Sequence, residues 1–414
     1  MHDASPTLSL KERDRRWALT RELLKAHNVE CLILPGLHGR EALEGYLSNE
    51  YAEGLVIFPL EGKPVLLTFT NTRLFRQMYS AAALGVIPWI DDTRLGTSGS
   101  AIVSVLKEKG FEKSRIGIVG LRTVAPGESE GFVPYTTWAH VLKELPNATF
   151  VEMSEAFTEM MLYKSAEELV LVRHSASLGE AACKKMLDMV RPGLDERELF
   201  AAMMEVMFRG GSCPPSPFLI VYSGPENLGW GPPLWTYQGA PARTVEKGDL
   251  VQAEIFTRYG GFECQAQMSV HLKPVNPILA DLAKVAREVY DAGLAALSVG
   301  TTFLEVVNAM KQPVIKAGCW TLTPLIHSQT PIELVGGMGI DIQKSPAAEW
   351  VKGKLLGTPP KPRDATIKPG MVFVFEPNPC KDKHRVNIGG TVIVNDKGVV
   401  EELNSLPCHM NVKE

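Results

Sequence analysis

Residues 249–272 read DLVQAEIFTRYGGFECQAQMSVHL, two β-rich runs on either side of Tyr259-Gly260-Gly261. A glycine pair accepts the positive φ that a tight hairpin turn demands, so the segment predicts two antiparallel strands turning there. Side chains alternate along a strand, which puts Glu263, Gln265 and Gln267 on one face and Cys264 on the other. Glu254 lies inside the apolar run VQAEIF, and Glu376 inside FVFEP. A carboxylate in such surroundings is usually buried, and then functional or paired. A strand position facing solvent is the plain alternative for Glu254.

Paired helices surround these strands. SAEELVLVRHSASLGEAACKKMLDMV has helical spacing, and Ser165 with Glu168 forms a capping box at its start. DERELFAAMMEVMFRGG opens on Asp195 and stops at Gly-Gly. Further helices are predicted over residues 277–297 and 303–318, and MVFVFEPNP and GGTVIVNDKGVVEEL supply a second set of strands. Helices in pairs with antiparallel strands predict an α+β domain over residues 159–414. Before it, strands such as VECLILPG and SRIGIVG alternate with helices at residues 10–27, 98–109 and 136–145. That alternation predicts an α/β domain over residues 1–158.

The 414 residues can bury a large core without disulfides or a structural metal. A charged fraction of 22% with a net charge of −4 argues against nucleic acid or an anionic membrane as the main partner. No apolar run reaches the roughly 18–20 residues of a spanning helix, and MHDASPTLSLKERDRRW is too polar for a secretory signal. Seven scattered cysteines without a CxxC pair read as reduced thiols, so a cytoplasmic location is expected.

From YKSAEELVLVRHSASLGEAACKKML through KGDLVQAEIFTRYGGFECQAQMSVHL and KPGMVFVFEPNP to NIGGTVIVNDKGVVEEL, the chain resembles the creatinase, prolidase and methionine aminopeptidase superfamily. The resemblance implies a pita-bread catalytic domain behind an α/β N-terminal domain. It also implies a homodimer, with Arg73 of the N-terminal domain reaching the pocket of the other copy. The usual chemistry of the family needs two Asp, one His and two Glu around two divalent metals. Carried over by position, the first Asp is Glu254, the second Gln265, the first Glu is Glu376, and the last Glu is Gly389. The His position falls on His327 or on Gly336, depending on which loop is matched. Two carboxylates and at most one imidazole make a poor dinuclear cage, so no metal and no other cofactor is expected.

Creatinase is the family precedent for C–N hydrolysis without metal. The resemblance makes Glu376 a substrate-binding glutamate and His327 a pocket histidine. It sets Gln267 where creatinase has a glutamate and Trp230 where it has a histidine. Two close carboxylates in a dry site raise each other's pKa, which suits a general base. Glu254, Glu376 and His327 are therefore the catalytic candidates. Trp230, Glu263, Gln265, Gln267 and Arg73 are the substrate-binding candidates. Lys381, Lys383, His384 and Arg385 are expected in a solvated loop, with a substrate carboxylate as their alternative partner. The expected activity is hydrolysis of an amide, urea or amidine in a small nitrogenous compound. A metal-dependent Xaa-Pro peptidase, a lyase and a non-catalytic pseudoenzyme are the alternatives.

Overall fold

The computed structural model describes residues 5–36, 43–51, 54–122, 131–213, 219–226, 228–354 and 363–414. They form two compact units, residues 1–161 and 162–414.

The first unit is a six-stranded sheet in the order β4-β3-β2-β1-β5-β6. The strands are β1 Cys31–Pro35, β2 Gly54–Pro59, β3 Val65–Thr68, β4 Asp92–Leu95, β5 Arg115–Ile118 and β6 Thr149–Glu152. β2 and β3 form a hairpin, whose turn contains Gly62 at φ +95°. β1, β5 and β6 run parallel, as strands joined through helices do. Leu32, Leu34, Val56 and Phe58 pack on one face; Ile33, Ile57, Ile102 and Leu106 pack on the other. Both faces are therefore apolar, which fits the α/β character read from the sequence.

The second unit has the pita-bread architecture. One sheet has the order β18-β9-β8-β7 and the other β12-β11-β13-β16-β17. The first is built from β7 Leu219–Gly224, β8 Leu250–Tyr259, β9 Phe262–Leu272 and β18 Asn411–Lys413. The second is built from β11 Ile326–Ser328, β12 Val335–Gly336, β13 Val372–Phe375, β16 Gly390–Val394 and β17 Val400–Glu402. A small third sheet joins β10 Trp320–Thr321, β14 Pro379–Lys381 and β15 His384–Arg385.

β8 and β9 pair in register up to Tyr259 opposite Phe262, so Gly260 and Gly261 are the turn, at φ +54° and +87°. A side chain at either position would be strained. Ala253, Ile255, Ala266 and Met268 pack on the helices Ala166–Met189 and Glu196–Arg209 through Met186, Leu199 and Met203. The longer helix starts with the predicted capping box of Ser165 and Glu168. Phe373, Phe375, Val392 and Val394 of the second sheet pack on the helices Pro277–Ala296 and Phe303–Lys316. Each fully buried phenylalanine there contributes about 1.5–3 kcal/mol.

The remaining face of the β8–β9 hairpin carries Gln252, Glu254, Glu263, Gln265, Gln267 and Ser269, all buried. β16 and the turn before it lie against this face. Gln267 N donates to Gly389 O at 2.9 Å, and Gln265 N donates to Thr391 Oγ1 at 3.2 Å. Apolar packing on the outer faces thus fixes the register, and the register sets which polar groups meet between the sheets.

Candidate active site

Glu254 stands opposite Gln267 across the hairpin. Its carboxylate is 6% exposed and accepts a hydrogen bond from Trp230 Nε1 at 2.5 Å. Trp230 itself is half-exposed and forms a wall over that carboxylate. Its loop is tied down residue by residue. Gly229 O accepts from Arg385 Nη2 at 3.0 Å, and Gly231 O accepts from Tyr222 Oη at 2.6 Å.

Glu376 follows β13, held in place by its own N–H donating to Leu325 O at 2.9 Å. Gln267 Nε2 donates to Glu376 Oε2 at 3.3 Å, so the Gln267 carboxamide links the row of Glu254 to Glu376. His327 lies diagonally across β11 and β13 from Glu376, with Nε2 at 3.5 Å from Glu376 Oε1. The His327 Nδ1 is 2.8 Å from Ser328 O. A carbonyl oxygen only accepts, so Nδ1 carries a hydrogen and Nε2 faces the carboxylate. A favourable contact there requires one proton between Nε2 and Glu376, the arrangement of an acid–base pair. Gly336 pairs with Ile326 and packs under Val307, where an added Cβ would meet Val307 Cγ2 at 2.2 Å. His327, not Gly336, is the residue beside Glu376.

Glu263 and Gln265 form a separate cluster at the turn end of the hairpin. Arg258 Nη2 donates to Glu263 Oε2 at 3.0 Å from directly across the strand pair. Gln265 Nε2 donates to Glu263 Oε1 at 3.0 Å and lies 3.5 Å from Gln329 Oε1. Buried Lys164 caps this end, its Nζ donating to Gln329 O at 2.9 Å. Cys264 faces away, its Sγ toward Val172 O, and burial pushes its thiol up to about 12. It is no nucleophile. Arg73 belongs to the first unit, on the short helix Asn71–Phe75.

The residues present do not fit a dinuclear metal centre. Among the described residues, no group of three His, Cys, Asp or Glu side chains is placed to hold a metal ion. At Gly389, φ is +129° and an added Cβ would lie 1.9 Å from Phe375 O. The backbone itself therefore excludes a carboxylate side chain. At Gln265 the side chain is a neutral amide engaged with Glu263, and the cation Arg258 pairs with that same carboxylate, which disfavours a neighbouring dication.

Sequence reading missed Arg258, Lys164, Gln329 and Tyr222. Arg258 was legible from the register, since it faces Glu263 across the predicted turn. Lys164 and Gln329 give no local signal. One expectation needs correction: of the basic stretch after Glu376, Lys381 and Lys383 are exposed, but Arg385 is buried. It pairs with Cys380 on β14, whose side chain is itself buried, and so turns inward on the same face.

The profile of metallopeptidase family M24 matches residues 170–400, and the chain belongs to that family. Among its relatives, creatinase from Bacillus sp. (strain B-0618) is 20% identical over 325 residues, covering 74% of this chain and 72% of that protein. Ectoine hydrolase from Halomonas elongata is 21% identical over 423 residues, covering 96% of both chains. The crystal structure of X-Pro aminopeptidase from Thermotoga maritima superposes with a TM-score of 0.72 at 15% identity, over 96% of this chain and 99% of that one. Its likeness establishes the shared two-domain fold. The relatives are hydrolases by name. No helix among the described residues is long and apolar enough to cross a membrane.

Proposed function

We propose that the protein hydrolyses a C–N bond of an amide, urea or amidine in a small nitrogenous compound, without a divalent metal. The observation that carries this reading is the selective loss at the site. Gly389 and Gln265 remove two carboxylates, while Glu254, Glu376 and His327 stay buried together with their hydrogen-bond partners. A decayed site would not be expected to keep two buried carboxylates and an imidazole in contact with one another's neighbours.

In this reading Glu254 accepts a proton from water as the oxygen bonds to the substrate carbon. The C–N bond then breaks, and the proton held between His327 Nε2 and Glu376 passes to the leaving nitrogen. Gln267, joined to Glu376 and opposite Glu254, orients the amide or amidine through its carboxamide. Trp230 forms the wall against which a planar group stacks. Glu263 and Gln265 hold the neighbouring strand end. Two named relatives, a creatinase and an ectoine hydrolase, support a small nitrogenous substrate.

The competing reading is an Xaa-Pro peptidase with an altered ligand set, supported by the fold neighbours of that name. The two separate in one assay: creatine, ectoine and an Xaa-Pro dipeptide, each with and without chelator. Turnover of a creatine-like or ectoine-like compound that survives chelation supports the proposal. Peptide cleavage abolished by chelator overturns it.

We also propose a cytoplasmic homodimer in which Arg73 completes the partner's pocket. The segment around Arg73 exposes Phe69, Phe75, Met78, Tyr79, Leu84 and Ile87, apolar surface of the kind that protein interfaces cover. A monomer of full activity in sedimentation at micromolar concentration would contradict this.

A further inference from the structure

Arg385 is 3% exposed, yet only one of its nitrogens is accounted for. Nη2 donates to Gly229 O at 3.0 Å; Nε and Nη1 are buried and meet no acceptor among the described residues. Arg258, by contrast, is neutralised by Glu263 at 3.0 Å. A guanidinium cannot shed its charge, so an uncompensated one in the interior is costly unless an anion joins it.

The surroundings of Arg385 are also incompletely satisfied. Gln252 Nε2 donates to Arg385 O at 3.1 Å and to Ser269 Oγ at 3.2 Å, while Gln252 Oε1 has no donor. Ser269 Oγ donates to Asn387 O at 2.7 Å, and Asn387 Oδ1 likewise has no donor. Gln252 is two residues before Glu254 on the same strand, and so on the same face. Arg385 and Glu254 hold consecutive residues of one loop, Gly229 and Trp230. Tyr222, whose hydroxyl is raised chiefly by burial, feels both charges, with Arg385 lowering it and Glu254 raising it. The unsatisfied cluster therefore adjoins the Glu254 row rather than lying elsewhere in the molecule.

We propose that Arg385, with the carboxamide oxygens of Gln252 and Asn387, forms a subsite for a carboxylate that carries a neighbouring N–H donor, as in an amino acid. The substrate is then an acid whose charged end rests on Arg385 and whose C–N carbon faces Glu254 and Glu376. This deepens the hydrolase reading and rests on it for the term substrate. The binding itself does not depend on turnover.

The test uses the whole protein and three probes at matched ionic strength in chloride: acetate, glycine and acetamide. Binding is read by Trp fluorescence and by melting temperature. Acetate and glycine should bind saturably, glycine at least as tightly, and acetamide should not bind. Arg385→Met should weaken both carboxylates by roughly 10–100-fold, the range for a hydrogen bond to a charged group. Arg385→Lys should give an intermediate loss, because charge remains without the planar set of donors. Unliganded Arg385→Met should melt at or above the wild-type temperature, since it removes a buried unpaired charge. Equal binding of acetate and acetamide, or unchanged carboxylate binding by Arg385→Met, overturns the subsite. If Arg385→Met does not fold, Arg385→Lys with wild-type acetate affinity overturns it as well. Glycine excluded where acetate binds removes Gln252 and Asn387 from it. Carboxylate binding without turnover of any C–N substrate would overturn the hydrolase reading and leave the subsite standing.

Discussion

The indole N–H of Trp230 donates to Glu254 Oε2 at 2.5 Å, joining a half-exposed loop residue to a carboxylate buried between two sheets. The loop is pinned on both sides of this bond, by Arg385 at Gly229 and by Tyr222 at Gly231. Trp230→Phe keeps the ring wall but removes the donor. A hydrogen bond to a charged group contributes about 1.5–3 kcal/mol, so kcat/KM should fall by roughly 10–100-fold with little change in melting temperature. Wild-type kcat/KM in this variant would mean that the contact does no more than close the loop.

Glu376→Gln preserves volume and can still accept from Gln267, but it cannot share a proton with His327. Activity should drop by on the order of 10²–10⁴, with an unchanged or raised melting temperature. Glu254→Gln should behave in the same way. Unfolding of either variant, followed by circular dichroism, would make that carboxylate a structural partner instead.

Gly389 is fixed by its backbone. A Cβ there would lie 1.9 Å from Phe375 O at φ +129°, so Gly389→Ala should cost more than about 2 kcal/mol in denaturant unfolding. Gly389→Glu should destabilise further and should not create metal binding. Tight divalent binding by a folded Gly389→Glu protein would show that only the side chain was missing.

Most of this fold was legible because its signals are local. The Gly260-Gly261 turn, the Ser165–Glu168 cap and the alternation from Glu263 to Gln267 are each decided within a few residues. The carboxylates Glu254 and Glu376 stood out because a charge in an apolar run has few explanations. Contacts set by tertiary approach were not legible. Lys164 reaches Gln329 across the chain, and nothing near it marks it as buried. Arg385 sits beside exposed Lys381 and Lys383, and only its pairing with Cys380 turns it inward. His327 and Gly336 were equivalent candidates in the sequence, and only the β11–β13 register brings His327 beside Glu376.

His271 gives a pH-dependent term away from the site. It is fully buried, with Nδ1 donating to Leu272 O at 2.7 Å and Nε2 accepting from Asn276 N at 3.3 Å. Burial lowers its pKa below the usual 6.5, so the folded state resists protonation that the unfolded state accepts. This contribution is intact above about pH 6.5 and is lost as pH falls below it, at up to about 1.4 kcal/mol per unit. Wild-type melting temperature should therefore fall more steeply than that of His271→Gln between about pH 6.5 and 5. Parallel slopes would show that His271 titrates normally.

The claim that the M24 scaffold here works without metal is tested most directly by elemental analysis of protein equilibrated with manganese, zinc or cobalt and then desalted. Gly389 and Gln265 leave too few anionic donors for a dinuclear cage, so the protein should retain fewer than about one divalent ion per chain. Hydrolysis of its C–N substrate should be unaffected by chelator. Two tightly held ions per chain, with activity lost on chelation and restored by metal, would contradict the account.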